Sequence, residues 1–180
     1  MKTRFRSKSL LLIFLAYLVV QPAFSQDLDN LDSKFGVNKF KLESDISLYK
    51  GNLAFDLKGD DKVAYYMYKG NDFKSLFGVA LSYCALGFYE NKLYSISIQF
   101  GLLPKRDEDL LHYKLKELFG VPNFGIGKTP INYLWHYKWE TTKTYLGFEK
   151  LSEDSDYKPG HVSIFMLSSK MNSQINNDNF

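Results

Sequence analysis

The chain has 180 residues, 45% of them hydrophobic and 17% aromatic, with 23 basic and 20 acidic side chains and one cysteine, Cys84. A single thiol excludes an intrachain disulfide, and no cysteine follows the apolar start to carry a lipid anchor. The formal +3 gives no support to nucleic-acid or anionic-membrane binding. Four basic residues and no acid fall in the first 25, leaving 19 basic against 20 acidic, or −1, in the remainder; Arg106 is then the one arginine, and the lysines are interspersed with acids.

Lys2, Arg4, Arg6 and Lys8 form a basic region ahead of the apolar run Leu10 to Val20, and Ala23 and Ser25 are small residues at the two positions a signal peptidase reads. The run is about half the ~20 residues a membrane span requires. Residues 1–25 are therefore expected to be a signal peptide cleaved after Ser25, directing the protein to the periplasm or the outside medium. Residues 26–34 are expected as a flexible lead-in, 35–170 as a single domain and 171–180 as a disordered polar tail.

Within the domain, Leu42, Ile46, Tyr49 and Leu53 recur at helical spacing. With Ser44 or Asp45 as N-cap and Gly51 as stop, they predict a short helix over about 44–50. Leu57 to Lys62 is a charged turn region. Tyr-rich Val63 to Lys69 reads as a strand, and Val79 to Tyr89 as a long apolar one. After the turn Glu90-Asn91-Lys92, Leu93 to Phe100 alternates with period two. A two-residue loop would turn Val79, Leu81, Tyr83 and Ala85 to the core with Ile96 and Ile98; a three-residue loop would turn Cys84, Leu86 and Phe88 there. Asp107 as N-cap, the Leu111, Leu115 and Leu118 stripe, Gly120 and Pro122 predict a helix over about 108–119. Beyond the loop Asn123 to Pro130, Ile131 to Trp139 places Tyr133, Trp135, Tyr137 and Trp139 on one face and Leu134, His136 and Lys138 on the other. Strands follow at Thr144 to Lys150 and His161 to Leu167.

This order of helix, three strands, helix, three strands predicts an α+β, two-layer domain. It has about six antiparallel strands with both helices on one face, built as a possible helix-three strands repeat. Tyr66-Met67-Tyr68-Lys69 aligns with Trp135-His136-Tyr137-Lys138 between the halves. The helix with Phe119-Gly120-Val121-Pro122, the Tyr137-Lys138-Trp139 strand and Asn91-Lys92-Leu93-Tyr94 resemble a pattern of small uncharacterised exported proteins of Gram-negative bacteria, over roughly Phe35 to Lys170. The α-then-β layout is also similar to the β-lactamase inhibitor protein fold, whose disulfides this chain lacks. Neither resemblance carries a functional residue.

Candidate chemical motifs reduce to ordinary structure. Gly125-Ile126-Gly127-Lys128-Thr129 has the tail of a phosphate-binding loop, but Pro122 stands where its first glycine is required and Pro130 follows where a helix should start. Ser47 and Lys50 match Ser-x-x-Lys spacing without the Lys-Thr-Gly element of acyl-serine enzymes. His112, His136 and His161 lie on separate elements without partners at metal spacing. Glu153, Asp154 and Asp156 lack EF-hand spacing, and Asp107, Glu108 and Asp109 suit a helix start. No cofactor, metal or catalytic residue is therefore expected. With Trp135 turned inward, Tyr65, Met67, Lys69, Leu134, His136 and Lys138 point outward and form the expected binding surface. The leading expectation is an exported, non-catalytic binding or accessory protein that contacts another envelope or secreted protein through this open face, with no nucleic-acid partner and no membrane span after cleavage. The alternative is a carrier of an apolar small molecule between helices and sheet, and the third a small hydrolase using His136 or His161.

Overall fold

The computed structural model describes residues 26–58, 62–125, 133–153 and 159–178. The leader, the Gly59-Asp60-Asp61 turn, Ile126 to Thr129 of the glycine-containing loop, and Asp154 and Asp156 lie outside the described residues. In chain order the elements are α1 (Gln26–Lys34), β1 (Gly36–Val37), β2 (Phe40–Lys41), 3-10 turns at Ile46–Leu48 and Lys50–Asn52, β3 (Leu53–Lys58), β4 (Val63–Tyr68), β5 (Ser75–Leu76), β6 (Val79–Ala80), β7 (Tyr83–Tyr89) and β8 (Lys92–Gly101). They continue as α2 (Lys105–Phe119), β9 (Asn123–Gly125), β10 (Tyr133–Glu140), β11 (Thr144–Leu151), β12 (Val162–Ser168) and α3 (Ser169–Asp178).

Eight strands form one antiparallel sheet in the order β3-β4-β7-β8-β12-β11-β10-β9, which corrects the expected six. The two additional strands, β3 and β9, are its edges. Each half is a four-strand meander, and the halves meet at β8 and β12. At this seam Ile98 faces Ile164, flanked by Ser97 opposite Phe165 and Gln99 opposite Ser163. Exchanging 97 with 163 and 99 with 165 reproduces the pairing, so a pseudo-two-fold axis passes between the isoleucines. The repeating unit thus has four strands rather than three. β4 and β10, which carry the two matching tetrapeptides, are the second strands of their meanders.

The expectation of two helices on one face is also corrected. Cross-strand partners share a face. Tyr66, Leu86, Ile96, Met166 and Leu146 lie in one row across the sheet, and Tyr65, Gly87, Ser95, Leu167 and Tyr145 in a row on the opposite side. The first face holds the main core. α1 contributes Leu31, α2 contributes Leu111, Leu115 and Phe119, and β2 contributes Phe40, which packs edge-on against Tyr68 and Phe73. The segment read as a helix over 44–50 is the pair of 3-10 turns. Asp45 caps the first by accepting from Ser47 N at 3.0 Å, and this bond, with Lys92 alongside, draws its carboxyl down to about 2. On the opposite face α3, which begins where a polar tail is expected, lays Met171 and Ile175 over Val63, Tyr65, Tyr89, Tyr94 and Leu167. Its Asp178 accepts from Lys62 Nζ at 2.8 Å and from the Tyr89 hydroxyl.

The β7–β8 hairpin combines the two readings of its register. Its loop is the two residues Glu90 and Asn91, both at positive φ (48° and 66°) as a type I′ turn requires, since Phe88 and Tyr89 pair with Leu93 and Lys92. A bulge at Tyr94 then shifts the pairing by one residue. Cys84, Leu86 and Phe88 therefore face the core with Ile96 and Ile98, the set expected of a three-residue loop, and Tyr94 turns toward α3.

α2 is anchored over the second meander at both ends. Near its start Glu108 Oε1 accepts from Lys150 Nζ at 2.7 Å, with the side chains 7% and 19% exposed. Past its C-terminus, Gly120 at φ 77° presents its carbonyl to Trp139 Nε1 at 3.0 Å. Lys150→Ala leaves the Glu108 carboxylate enclosed and unpaired, and a loss of about 3 kcal/mol is expected. Replacing both partners by leucine should cost clearly less. Urea denaturation of the single and double variants checks this, and a double variant at least as destabilised as Lys150→Ala would show that the unpaired carboxylate is not what the single variant loses.

Candidate functional site

The face opposite the main core is covered at one corner by α3. Beyond that corner run two rows of side chains fixed by the strand register. Met67, Ala85, Ser97, Phe165, Gly147 and Lys138 form one. Tyr83, Gln99, Ser163, Glu149 and His136 form the other. The floor is shallow because it is built of Gly, Ala and Ser. Phe165 lies flat over Gly147, where a β-carbon would come within 2.4 Å of the ring. It stacks on Tyr145 with centroids 5.4 Å apart.

The expected surface residues are not gathered in one place. Tyr65 is half-buried under α3, with its hydroxyl bonded to that of Tyr94. Met67 is half-buried in the open row, and Lys69 lies past the end of β4 and is exposed. His136 and Lys138 share this face but stand on β10, five strand spacings from β4, or about 24 Å at the usual ~4.8 Å per strand. Lys138 Nζ donates to Glu140 Oε2 at 3.1 Å. Leu134, 48% exposed, occupies a pairing irregularity between Tyr133 and Trp135. That shift takes Tyr133 out of the inward aromatic set and onto the open face, where its ring meets His136 at 5.2 Å. Trp135 and Tyr137 do pack inward, and Trp139 is buried at 1% exposure.

The concentration of polar groups lies around Glu149, directly opposite His136 on the neighbouring strand. Glu149 is 9% exposed. Its Oε1 accepts from Ser163 Oγ at 2.9 Å, and the Tyr133 hydroxyl lies against the same carboxylate. Its Oε2 is enclosed and receives no hydrogen bond among the described residues. Such an unsatisfied acceptor costs about 1–3 kcal/mol, more when charged. Burial accordingly raises the Glu149 carboxyl above the usual range, with the two hydroxyls pulling the other way. Burial and this carboxylate push the Tyr133 phenol up to about 12, and burial chiefly does the same to Tyr145. His136 Nε2 shares a hydrogen bond with the Tyr145 hydroxyl at 2.9 Å; burial, then Lys138, lowers its pKa and keeps the ring neutral. Neither Glu149 nor Ser163 stood out in the sequence, because a lone Glu two residues from a strand end has the signature of a solvated position.

The other candidates are dispersed. His112 stacks on Tyr137 at 4.0 Å on the core face, while His136 is on the open one. Among the described residues no group of three His, Cys, Asp or Glu side chains is placed to hold a metal ion. Cys84 is buried, and burial pushes its thiol up to about 12, leaving no thiolate nucleophile near neutral pH. Ser47 and Lys50 are exposed on separate 3-10 turns. Ser163 Oγ donates to Glu149 Oε1. Among the described residues, no helix is long and apolar enough to cross a membrane.

On the core face, a cleft of about 310 Å³ opens between α2, the end of α1 and the β5–β6 hairpin. Leu146 and Ile164 form its floor, Val37, Phe77, Leu115 and Phe119 its walls, and Lys34 lies on its rim. Compared with protein families, curated proteins and solved structures, the chain matches none.

A carboxyl whose pKa is raised by folding contributes most stability when protonated, and that contribution is lost as pH rises through the folded value. Glu149→Gln should therefore raise the melting temperature at pH 7 to 8, with the gain shrinking as pH falls through the raised folded value and gone below about 4.5, where the unfolded carboxyl is protonated too. Calorimetry across pH 4 to 8 measures it; a melting temperature lowered at pH 8 would show that the ionised carboxylate is stabilising.

Proposed function

We propose that this is an exported, non-catalytic binding protein whose partner, another envelope or secreted protein, docks on the open face of the sheet. The observation that carries this reading is the unequal treatment of the two faces. The core face is roofed by α1, α2 and the β1–β2 and β5–β6 hairpins. On the other face the described residues roof only a corner, and Met67, Ser97, Phe165, Tyr145 and His136 remain half-exposed on a floor of small residues. Half-buried aromatic and Met side chains are among the residues that protein interfaces favour. A site-specific photo-crosslinker at Ser97 should capture a single exported protein, one at Tyr113 on the outer side of α2 should not, and alanine at Met67 and His136 should abolish the capture without lowering the thermal melt. Equal capture from both positions, or capture indifferent to those alanines, would reject the face.

The cleft beside α2 favours a second reading, a carrier of an apolar small molecule. Its volume sits at the lower limit of ligand pockets, and its walls are apolar with one cationic rim residue. Native mass spectrometry should then show a co-purified lipid-like mass that disappears in Leu115→Trp, a variant that fills the cleft; an empty wild-type protein removes this reading.

A further inference from the structure

The Glu149 cluster asks for a ligand of defined charge. One carboxylate oxygen is committed to Ser163, and the other is enclosed without a well-formed hydrogen bond among the described residues, the Tyr133 hydroxyl lying against the same carboxylate. Around it stand Tyr133 and His136 from β10 and Phe165 from β12, with His136 5.2 Å from Tyr133 and 6.3 Å from Phe165, centroid to centroid. A single free carboxylate oxygen bordered by aromatic rings combines the two features that hold an organic cation: an opposite charge shielded from water and π faces within reach. Lys138, on the same face, is engaged by Glu140, and His136 is hydrogen-bonded to Tyr145, so neither supplies the missing donor. With only one oxygen uncommitted, the geometry favours a monodentate ammonium over a guanidinium, whose fork needs two acceptors.

We propose that Glu149, bordered by Tyr133, His136 and Phe165, is a receptor for the ammonium group of a lysine presented by the protein partner. Entry requires the Tyr133 side chain to swing off the carboxylate; it stands at the irregular start of β10, on a half-exposed site. The proposal rests on the open face being the working surface and adds to it the one anchoring contact.

Titration of the whole protein, followed by the ring signals of His136 and Tyr133 in NMR, tests it with n-butylammonium, methylguanidinium, butyrate and acetyl-Gly-Lys-Gly-amide as probes. Saturable shifts are expected with butylammonium and at least as strongly with the lysine peptide, weakly with methylguanidinium and not with butyrate. The native protein should lose these shifts as pH is lowered and Glu149 takes up its proton. His136 takes up its own proton over part of that range, and repeating the titration in His136→Gln separates the two. Glu149→Gln should weaken binding by about tenfold or more, while Lys138→Ala leaves it within about twofold. No saturable shift with butylammonium, binding that survives in Glu149→Gln, or guanidinium binding the more tightly would each overturn the assignment. Butylammonium binding with the lysine peptide excluded would make the ligand a free amine and overturn the partner lysine. If the crosslinked partner is still captured by Glu149→Gln, the receptor fails and the docking face stands; if butylammonium binds while no partner is captured at Ser97, the face reading fails alone.

Discussion

The pairing of β8 with β12 is the constraint on which the rest of the structure depends. It joins two four-strand meanders through Ile98 and Ile164, exposed to 0% and 1%. Without it each half would end on a long apolar strand with an unsatisfied row of amides and carbonyls, which water or another chain would have to meet. With it, the halves present one continuous surface on each side, and Leu111 and Leu115 of α2 join a single buried core with strand residues of both. The closed face and the open face are thus consequences of one seam.

The two halves differ in what they carry around that seam. By the pseudo-two-fold, His136 takes the place of Met67 and Glu149 that of Ala85, while Ser163 and Ser97 are equivalent. The first half carries an apolar and small set; the second places a carboxyl and an imidazole side by side on an equivalent framework. Enclosing that carboxyl is a local cost which the first half does not bear.

What was legible in the sequence follows from how many neighbours each strand has. The six strands legible in the sequence are β4, β7, β8, β10, β11 and β12, each flanked on both sides, so that burial imprinted on them an alternation, as in β8 and β10, or an apolar and aromatic run, as in β4 and β7. β3 and β9 have one neighbour each. Leu53 to Lys58 carries an irregularity near Asp56 and Asn123 to Gly125 is three residues long, so neither keeps a period that marks a strand. α2 was clear from its stripe and its Gly120 stop, though it begins at Lys105 rather than Glu108. α1 and α3 were not, because among the described side chains each buries a single residue deeply, Leu31 and Met171, on a largely polar helix. The outward set was right in parity along most of β10 and failed at Leu134, where one extra residue inverts what precedes it. The Glu149 cluster lay beyond reach: its members come from three strands and meet only through register, which no stretch of sequence records.

The seam also imposes an order of assembly. Each meander is made of contacts between strands near one another in the chain, whereas β8 and β12 are about 70 residues apart in sequence and must wait for the slower closure of that loop. Until then each half carries an open apolar margin that fits its counterpart in a second molecule as well as its own, so two chains that meet during this interval can exchange halves and reproduce every native contact in a twinned form.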